Sequence, residues 1–67
     1  MTFYISIMLR TSEIIECDKF IIDAKDIKSA LQNSKRYFLR KLREKYNKNF
    51  NKNQIITVIA KYKQERN

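Results

Sequence analysis

The chain has 67 residues and a formal net charge of +8, with 15 lysines and arginines against seven acidic residues. A length of this order allows one domain with a small core, which usually depends on a disulfide, a metal or self-association for stability. The single cysteine excludes an internal disulfide, and the usual zinc ligands are too few because histidine is absent. We therefore expect one domain over residues 1–67, stabilised by regular packing or by self-association.

The residue types that support catalysis are largely missing. Histidine, the commonest general base, does not occur, and the absence of glycine excludes a glycine-rich phosphate loop. Cys17 lies between Glu16 and Asp18, whose negative charges oppose formation of a reactive thiolate. We expect a protein that is not an enzyme and that uses neither a cofactor nor a metal.

Residues 2–10 alternate between apolar and polar side chains, which is the pattern of a half-buried β-strand. The apolar set is Phe3, Ile5, Ile7 and Leu9. Thr11 and Ser12 follow as the natural turn.

A second extended segment is predicted over 13–24, but its apolar residues alternate in two opposite phases. The two groups are Ile15 and Cys17, and Phe20, Ile22 and Ala24. A β-bulge near positions 18–19 would bring both groups to the core face. The alternative is a turn at 17–19, and we favour the bulge.

The period then changes to that of an amphipathic helix over 27–47. Asp26 has the position and chemistry of an N-cap, and the asparagine-rich segment from Asn47 onward ends the helix. The predicted core face consists of Ile27, Ala30, Leu31, Ser34, Phe38 and Leu42, with Tyr46 nearby.

A third strand is predicted over 54–63, and a polar tail follows at 64–67. The resulting α+β fold has the order β-β-α-β. Its sheet is three-stranded and mostly antiparallel, with strand 1 central and one long amphipathic helix packed on one face. A right-handed crossover through the helix makes strand 3 parallel to strand 2.

The sheet face away from the helix is unusually apolar, and such a patch indicates an interface. A homodimer through this face, or through an edge strand, would enlarge the small core, although the helix end, the 48–53 segment or the tail could cover the face instead. Strand 3 is apolar in both phases, so either Ile56 with Val58 or Ile55 with Ile59 lies here. We assign the second pair, and the predicted protein interface is Tyr4, Met8, Ile21, Ile55 and Ile59.

Positive charge is concentrated in the second part of the chain. Residues 1–26 carry three basic and five acidic side chains, whereas residues 27–67 carry twelve basic and two acidic ones. We expect the acids of the hairpin to solvate the outer face of an edge strand and to cap the helix, rather than to hold a metal. They are Glu13, Glu16, Asp18, Asp23 and Asp26.

The outward face of the predicted helix carries the most ordered part of the positive charge. Arg36, Arg40 and Arg43 recur at spacings of three and four, so they form one line on the solvent side. Arginine presents a planar fork of donors that suits phosphate or carboxylate. The predicted binding residues are Lys35, Arg36, Arg40, Lys41, Arg43, Asn47 and Lys48. The alternative is a merely solvated face, on which Arg40 and Glu44 have the spacing of an ion pair.

Aromatic residues near the basic run can stack on bases or can pack within the domain. They are Tyr37, Tyr46, Phe50 and Tyr62. We favour packing for Tyr46 and Phe50.

Three functional hypotheses follow, and the first is a small basic protein that contacts nucleic-acid phosphates with low sequence specificity. The alternative is an inhibitor or adaptor, encoded by a phage or another mobile element, that binds a host protein such as a defence or nucleic-acid-processing factor. Its support is small size, a lysine-, isoleucine- and asparagine-rich composition and the lack of catalytic chemistry. A ribosome-associated protein is the third hypothesis. We expect a cytoplasmic protein, in the host cytoplasm if viral, with no membrane partner.

Overall fold

The computed structural model describes residues 1–62, which form three strands and one long helix. The elements are β1 (Thr2–Arg10), β2 (Ile15–Asp23), α1 (Ile27–Tyr46) and β3 (Ile55–Lys61), with a short 3₁₀ turn at Lys52–Gln54 before β3. The predicted α+β fold and its β-β-α-β order are confirmed. The last position of the predicted third strand and the polar tail lie outside the described residues.

The sheet has the order β2-β1-β3, and β1 pairs in antiparallel fashion with both neighbours. The prediction of a central first strand is therefore confirmed. One face of β1 is completely covered by α1, because its alternating apolar side chains are all at most 1% exposed. This buried row is the centre of the core.

Strand β2 is straight, so the predicted bulge is wrong, and so is the alternative turn at 17–19. Its pairing with β1 runs without interruption from Thr2 opposite Asp23 to Arg10 opposite Ile15. The ladder keeps nine consecutive residue pairs in register, and a bulge would interrupt its regular hydrogen bonding. Consequently Ile15 and Cys17 are exposed on the face away from the helix. The acidic residues that alternate with them, Glu16 and Asp18, face the helix instead.

Both ends of α1 are capped as predicted. The Asp26 carboxylate accepts a hydrogen bond from the Ser29 amide at 2.8 Å, and this bond lowers the pKa of Asp26. At the other end Asn47 adopts the left-handed conformation with φ of 52°, so the helix is one residue shorter than predicted. The asparagine therefore both ends the helix and turns the chain back along it.

The helix contributes a narrow apolar stripe to the core. Its buried residues are Ala30, Ser34, Phe38 and Leu42. Ser34 is tolerated there because its hydroxyl donates a hydrogen bond to the Ala30 carbonyl. The prediction for Ile27 is wrong, since this side chain is 48% exposed in the first turn, whereas Leu39 packs against the edge of the core.

The phase of β3 is the opposite of the one assigned from the sequence. Ile55 lies opposite Leu9 and Ile59 opposite Ile5, and residues directly opposite one another share a face of the sheet. Ile55 and Ile59 therefore pack toward the helix, which corrects their placement in the predicted interface. Ile56 and Val58 take their place on the far face.

This phase predicts different stability effects for two neighbouring isoleucines. Ile55→Val removes a methyl group from the core and should lower the free energy of unfolding by about 0.5–1.5 kcal/mol. Ile56→Val makes the same chemical change on the far face and should alter it by only about a few tenths of a kcal/mol. Urea unfolding of both variants measures the difference, and a larger loss for Ile56→Val would contradict the phase.

Candidate functional site

The two flanks of α1 differ in how their positive charges are compensated. On the β2 side, the Lys41 ammonium lies 3.0 Å from the Asp18 carboxylate, and Lys45 pairs with Glu16. The Tyr46 hydroxyl donates to the same Glu16 oxygen at 2.6 Å. The two carboxylates are only about one-fifth to one-quarter exposed. Because they compensate the two lysines, this flank of the helix is nearly neutral.

The spacing of the four charged groups explains why both pairs form. Two residues along a strand span about 6.6 Å. Four residues along a helix rise about 6 Å. The carboxylates of Glu16 and Asp18 therefore match the ammonium groups of Lys45 and Lys41 along the helix axis. Had β2 been predicted without a bulge, this match could have been recognised from the sequence.

These contacts bear on two predictions. Lys41 was predicted as a binding residue, and the structure pairs it with Asp18, with its ammonium 5.9 Å from the centre of the Tyr37 ring. The acids of the hairpin do not jointly solvate the outer face of β2. Glu16 and Asp18 face the helix, whereas Asp23 accepts a hydrogen bond from the Thr2 hydroxyl at the end of the sheet.

The pKa shifts on this flank all favour the charged pairs. Hydrogen bonds from Lys45 and then Tyr46 lower the pKa of Glu16. The pKa of Lys45 is raised by its hydrogen bond to Glu16, and that of Lys41 by its hydrogen bond to Asp18. Near neutral pH these shifts hold Glu16, Lys41 and Lys45 in their ionised forms.

On the opposite flank, α1 and the segment 49–53 form a groove, and none of the residues among 1–62 that line it is acidic. It consists of two concavities of about 550 and 360 Å³ that share Arg36 and Leu39 in their walls. We call it the basic groove. Its lining residues are Gln32, Lys35, Arg36, Leu39, Arg40, Arg43, Asn49, Phe50, Lys52 and Asn53. Five of these side chains are cationic.

The second wall of the basic groove depends on how the helix ends. Because Asn47 is left-handed, the chain reverses, and the Phe50 ring packs edge-on against Tyr46 with centroids 5.8 Å apart. The Asn51 side chain accepts a hydrogen bond from the Asn53 amide at 2.9 Å and fixes the short turn that follows. Leu39 and Phe50 thus supply apolar surface between the rows of polar and basic side chains.

In comparisons with known proteins, no family model, no curated protein and no solved structure shows significant similarity to the chain. Any functional conclusion must therefore come from the chemistry of the described surface. Across residues 1–62, no helix combines the length and apolar character needed to cross a membrane.

The structure brings together most of the predicted binding residues, but not all. Lys35, Arg36, Arg40 and Arg43 line the basic groove. Asn47 serves as the helix cap, and the other two predicted lysines point to partners of their own. Lys41 pairs with Asp18, and the Lys48 ammonium lies 5.4 Å from the centre of the Phe50 ring.

Sequence periodicity missed the other wall of the groove, which lies on an irregular segment. Lys52, Asn49 and Asn53 join the arginines only through the chain reversal after α1. The aromatic prediction of packing fits the contact of Phe50 with Tyr46. The suggested pair between Arg40 and Glu44 is not among the ion pairs of the described chain, which leaves Arg40 free of that partner.

Substitution of Glu16 should make stability less dependent on pH. Since its pKa is lowered on folding, the stability that Glu16 contributes is present above its ordinary pKa of 4.5 and is lost as the pH falls through the lowered value. Glu16→Gln should therefore lower the Tm near pH 7, and the difference from the parent chain should shrink near pH 3. Thermal unfolding followed by circular dichroism measures the Tm of the two chains at each pH.

Glu13→Gln is the matched control, because it removes one carboxylate from the exposed turn between β1 and β2. Its effect on Tm should be smaller. Equal effects of the two substitutions at neutral pH would show that net charge, rather than the pair with Lys45, sets the stability.

Proposed function

We propose that the protein is a small non-enzymatic binding protein that contacts nucleic-acid phosphates through the basic groove. The observation that carries the proposal is the uneven compensation of charge around α1. The carboxylates of Glu16 and Asp18 pair with lysines on one flank, whereas five cations line the other, where the described groove wall contains no acidic residue. Uncompensated positive charge in a concave site attracts polyanions most strongly.

The arrangement of the cations supports a linear polyanion. Along the helix axis, Arg36 and Arg40 are separated by about 6 Å, and Arg40 and Arg43 by about 4.5 Å. Each of these guanidinium groups can donate hydrogen bonds to two phosphate oxygens, and Lys35 adds a flexible point charge. A chain of regularly repeated phosphates can engage several of these groups at once and releases counterions as it does so.

The remaining lining residues support binding with low sequence specificity. The amides of Gln32, Asn49 and Asn53 can donate hydrogen bonds to phosphate or sugar oxygens, which position a nucleic acid without identifying its bases. Phe50 is partly buried against Tyr46, so its ring serves mainly to build the groove. Affinity should therefore come from the phosphate backbone more than from base contacts.

An acidic host protein remains the second candidate, as for an inhibitor or adaptor of a phage or another mobile element. Each carboxylate in a row presents two acceptor oxygens to a guanidinium group, as a phosphate does. The basic groove favours nucleic acid because its cations follow one another in a line, as phosphates do. Binding to a defined acidic protein, without binding to DNA or RNA, would favour the second candidate.

The dependence of affinity on salt tests the proposal directly. If five cations each neutralise one phosphate, log K should fall against log salt with a slope of about −3.5 on a single strand and about −4.5 on a duplex. Fluorescence anisotropy with labelled DNA and RNA oligonucleotides of mixed sequence measures this slope. No detectable binding at about 50 mM salt would overturn the proposal.

Replacement of the arginines should weaken binding and flatten its salt dependence. The triple variant Arg36→Gln, Arg40→Gln, Arg43→Gln should reduce the salt slope by about two to three, because each lost phosphate contact removes about one unit or slightly less. The matched control changes Lys25, Lys28 and Lys61 to glutamine, which removes the same charge outside the groove. An equal loss in both variants would show that diffuse net charge, and not the groove, binds the nucleic acid.

A further inference from the structure

The sheet face away from α1 exposes large apolar side chains from all three strands. We call it the open face. Val58 is 63% exposed, Ile56 56% and Ile21 51% in the described part of the chain. Its apolar members are Tyr4, Met8, Ile15, Cys17, Ile21, Ile56, Val58 and Ala60. These side chains lie on both sides of a central row in which Ser6 and Lys19 accompany Val58, and exposed apolar surface of this extent on so small a domain marks an interface.

We propose that a second copy of this chain docks on the open face and forms a two-fold symmetric dimer. Charge favours this occupant and this face. Among the described residues, the charged side chains of the open face are Arg10, Lys19 and Asp23, whereas the basic groove lies on the helix layer, on the opposite side of the sheet. Two copies with a net charge of +8 repel least when they meet through their open faces.

The positions of the charges select one symmetric arrangement. Arg10 lies at one end of β1, and Asp23 lies beside Thr2 at the other end. A two-fold axis in the interface, perpendicular to the strands and level with Ser6, exchanges these ends. Arg10 of each copy then lies beside Asp23 of the second copy, so two intermolecular ion pairs frame the apolar centre. The other two-fold axis, parallel to the strands, would place Arg10 against its own symmetry mate.

The same operation pairs large with small side chains on the two edge strands. Tyr4 stands in one row with Ile21 and Ala60, and Met8 stands two rows further on with Cys17 and Ile56. Because the axis exchanges these two rows, Ile21 faces Cys17 of the second copy, Ile56 faces Ala60, and Tyr4 packs on Met8 at the centre. Lys19 is level with the axis and faces its own symmetry mate, but it lies on an edge strand, from which both ammonium groups can extend to water.

The size of the open face sets the expected strength of the dimer. Three strands spaced about 4.8 Å apart, with about eight residues of 3.3 Å each, present roughly 400 Å² of flat area per copy. This small footprint is typical of weak, transient association, so we expect a dissociation constant in the micromolar range. Association should therefore depend visibly on concentration.

Sedimentation velocity of the whole chain without nucleic acid tests the dimer, so its outcome is independent of the proposed function. The parent chain should change from monomer to dimer between about 1 and 500 μM. Ile56→Lys should raise the dissociation constant by about 100-fold or more, because it places two charges in the apolar interface. Ile27→Lys makes the same change at the exposed first turn of α1 and should leave association unaltered.

Charge reversal tests the symmetry itself. Within one chain, Arg10 and Asp23 are about eight strand residues, or roughly 26 Å, apart and cannot contact each other. Arg10→Asp and Asp23→Arg should each weaken association by about tenfold, and the double variant should restore it. Such a rescue can only arise between copies.

The proposal is overturned by a folded parent chain that stays monomeric at about 500 μM. It is equally overturned if Ile56→Lys, folded by circular dichroism, dimerises as well as Ile27→Lys. A double charge reversal that fails to restore association would overturn the two-fold arrangement.

Discussion

The pairing of two β2 carboxylates with two α1 lysines determines how charge is distributed over the whole domain. Glu16 and Asp18 can reach Lys45 and Lys41 only because β2 is straight and turns these acidic residues toward the helix. The pairs attach α1 to an edge strand and neutralise that flank. The remaining positive charge of the helix is thereby left on its other flank and outer surface.

That distribution connects the fold to the proposed activity. On the uncompensated flank, the left-handed Asn47 reverses the chain, and the returning segment becomes the second wall of a groove lined by five cations. Like charges held together cost stability, which a bound polyanion would relieve. The cluster of cations is therefore the feature that supports the proposed polyanionic partner.

Local periodicity predicted the elements well, but it could not choose between faces where both faces are apolar. β1, the helix and its Asp26 cap have one clear pattern each, and the structure confirms them. In β3, by contrast, Ile55 and Ile56 are equally hydrophobic, and only pairing with Leu9 decides which one is buried. The phase of β2 is decided by its unbroken pairing with β1, and the lysines that Asp18 and Glu16 then meet lie 23 and 29 residues further along the chain, where no local pattern contains them.

The prediction of the site shows the same division. The line of Arg36, Arg40 and Arg43 follows from helical spacing alone, whereas the loss of Lys41 to Asp18 and the contribution of Lys52 require the tertiary structure. Backbone amide chemical shifts during titration with a mixed-sequence oligonucleotide test the central claim most directly. The account predicts that the largest changes fall along 32–43 and 49–53. Changes concentrated on the open face, or on the flank of Lys41 and Lys45, would contradict it.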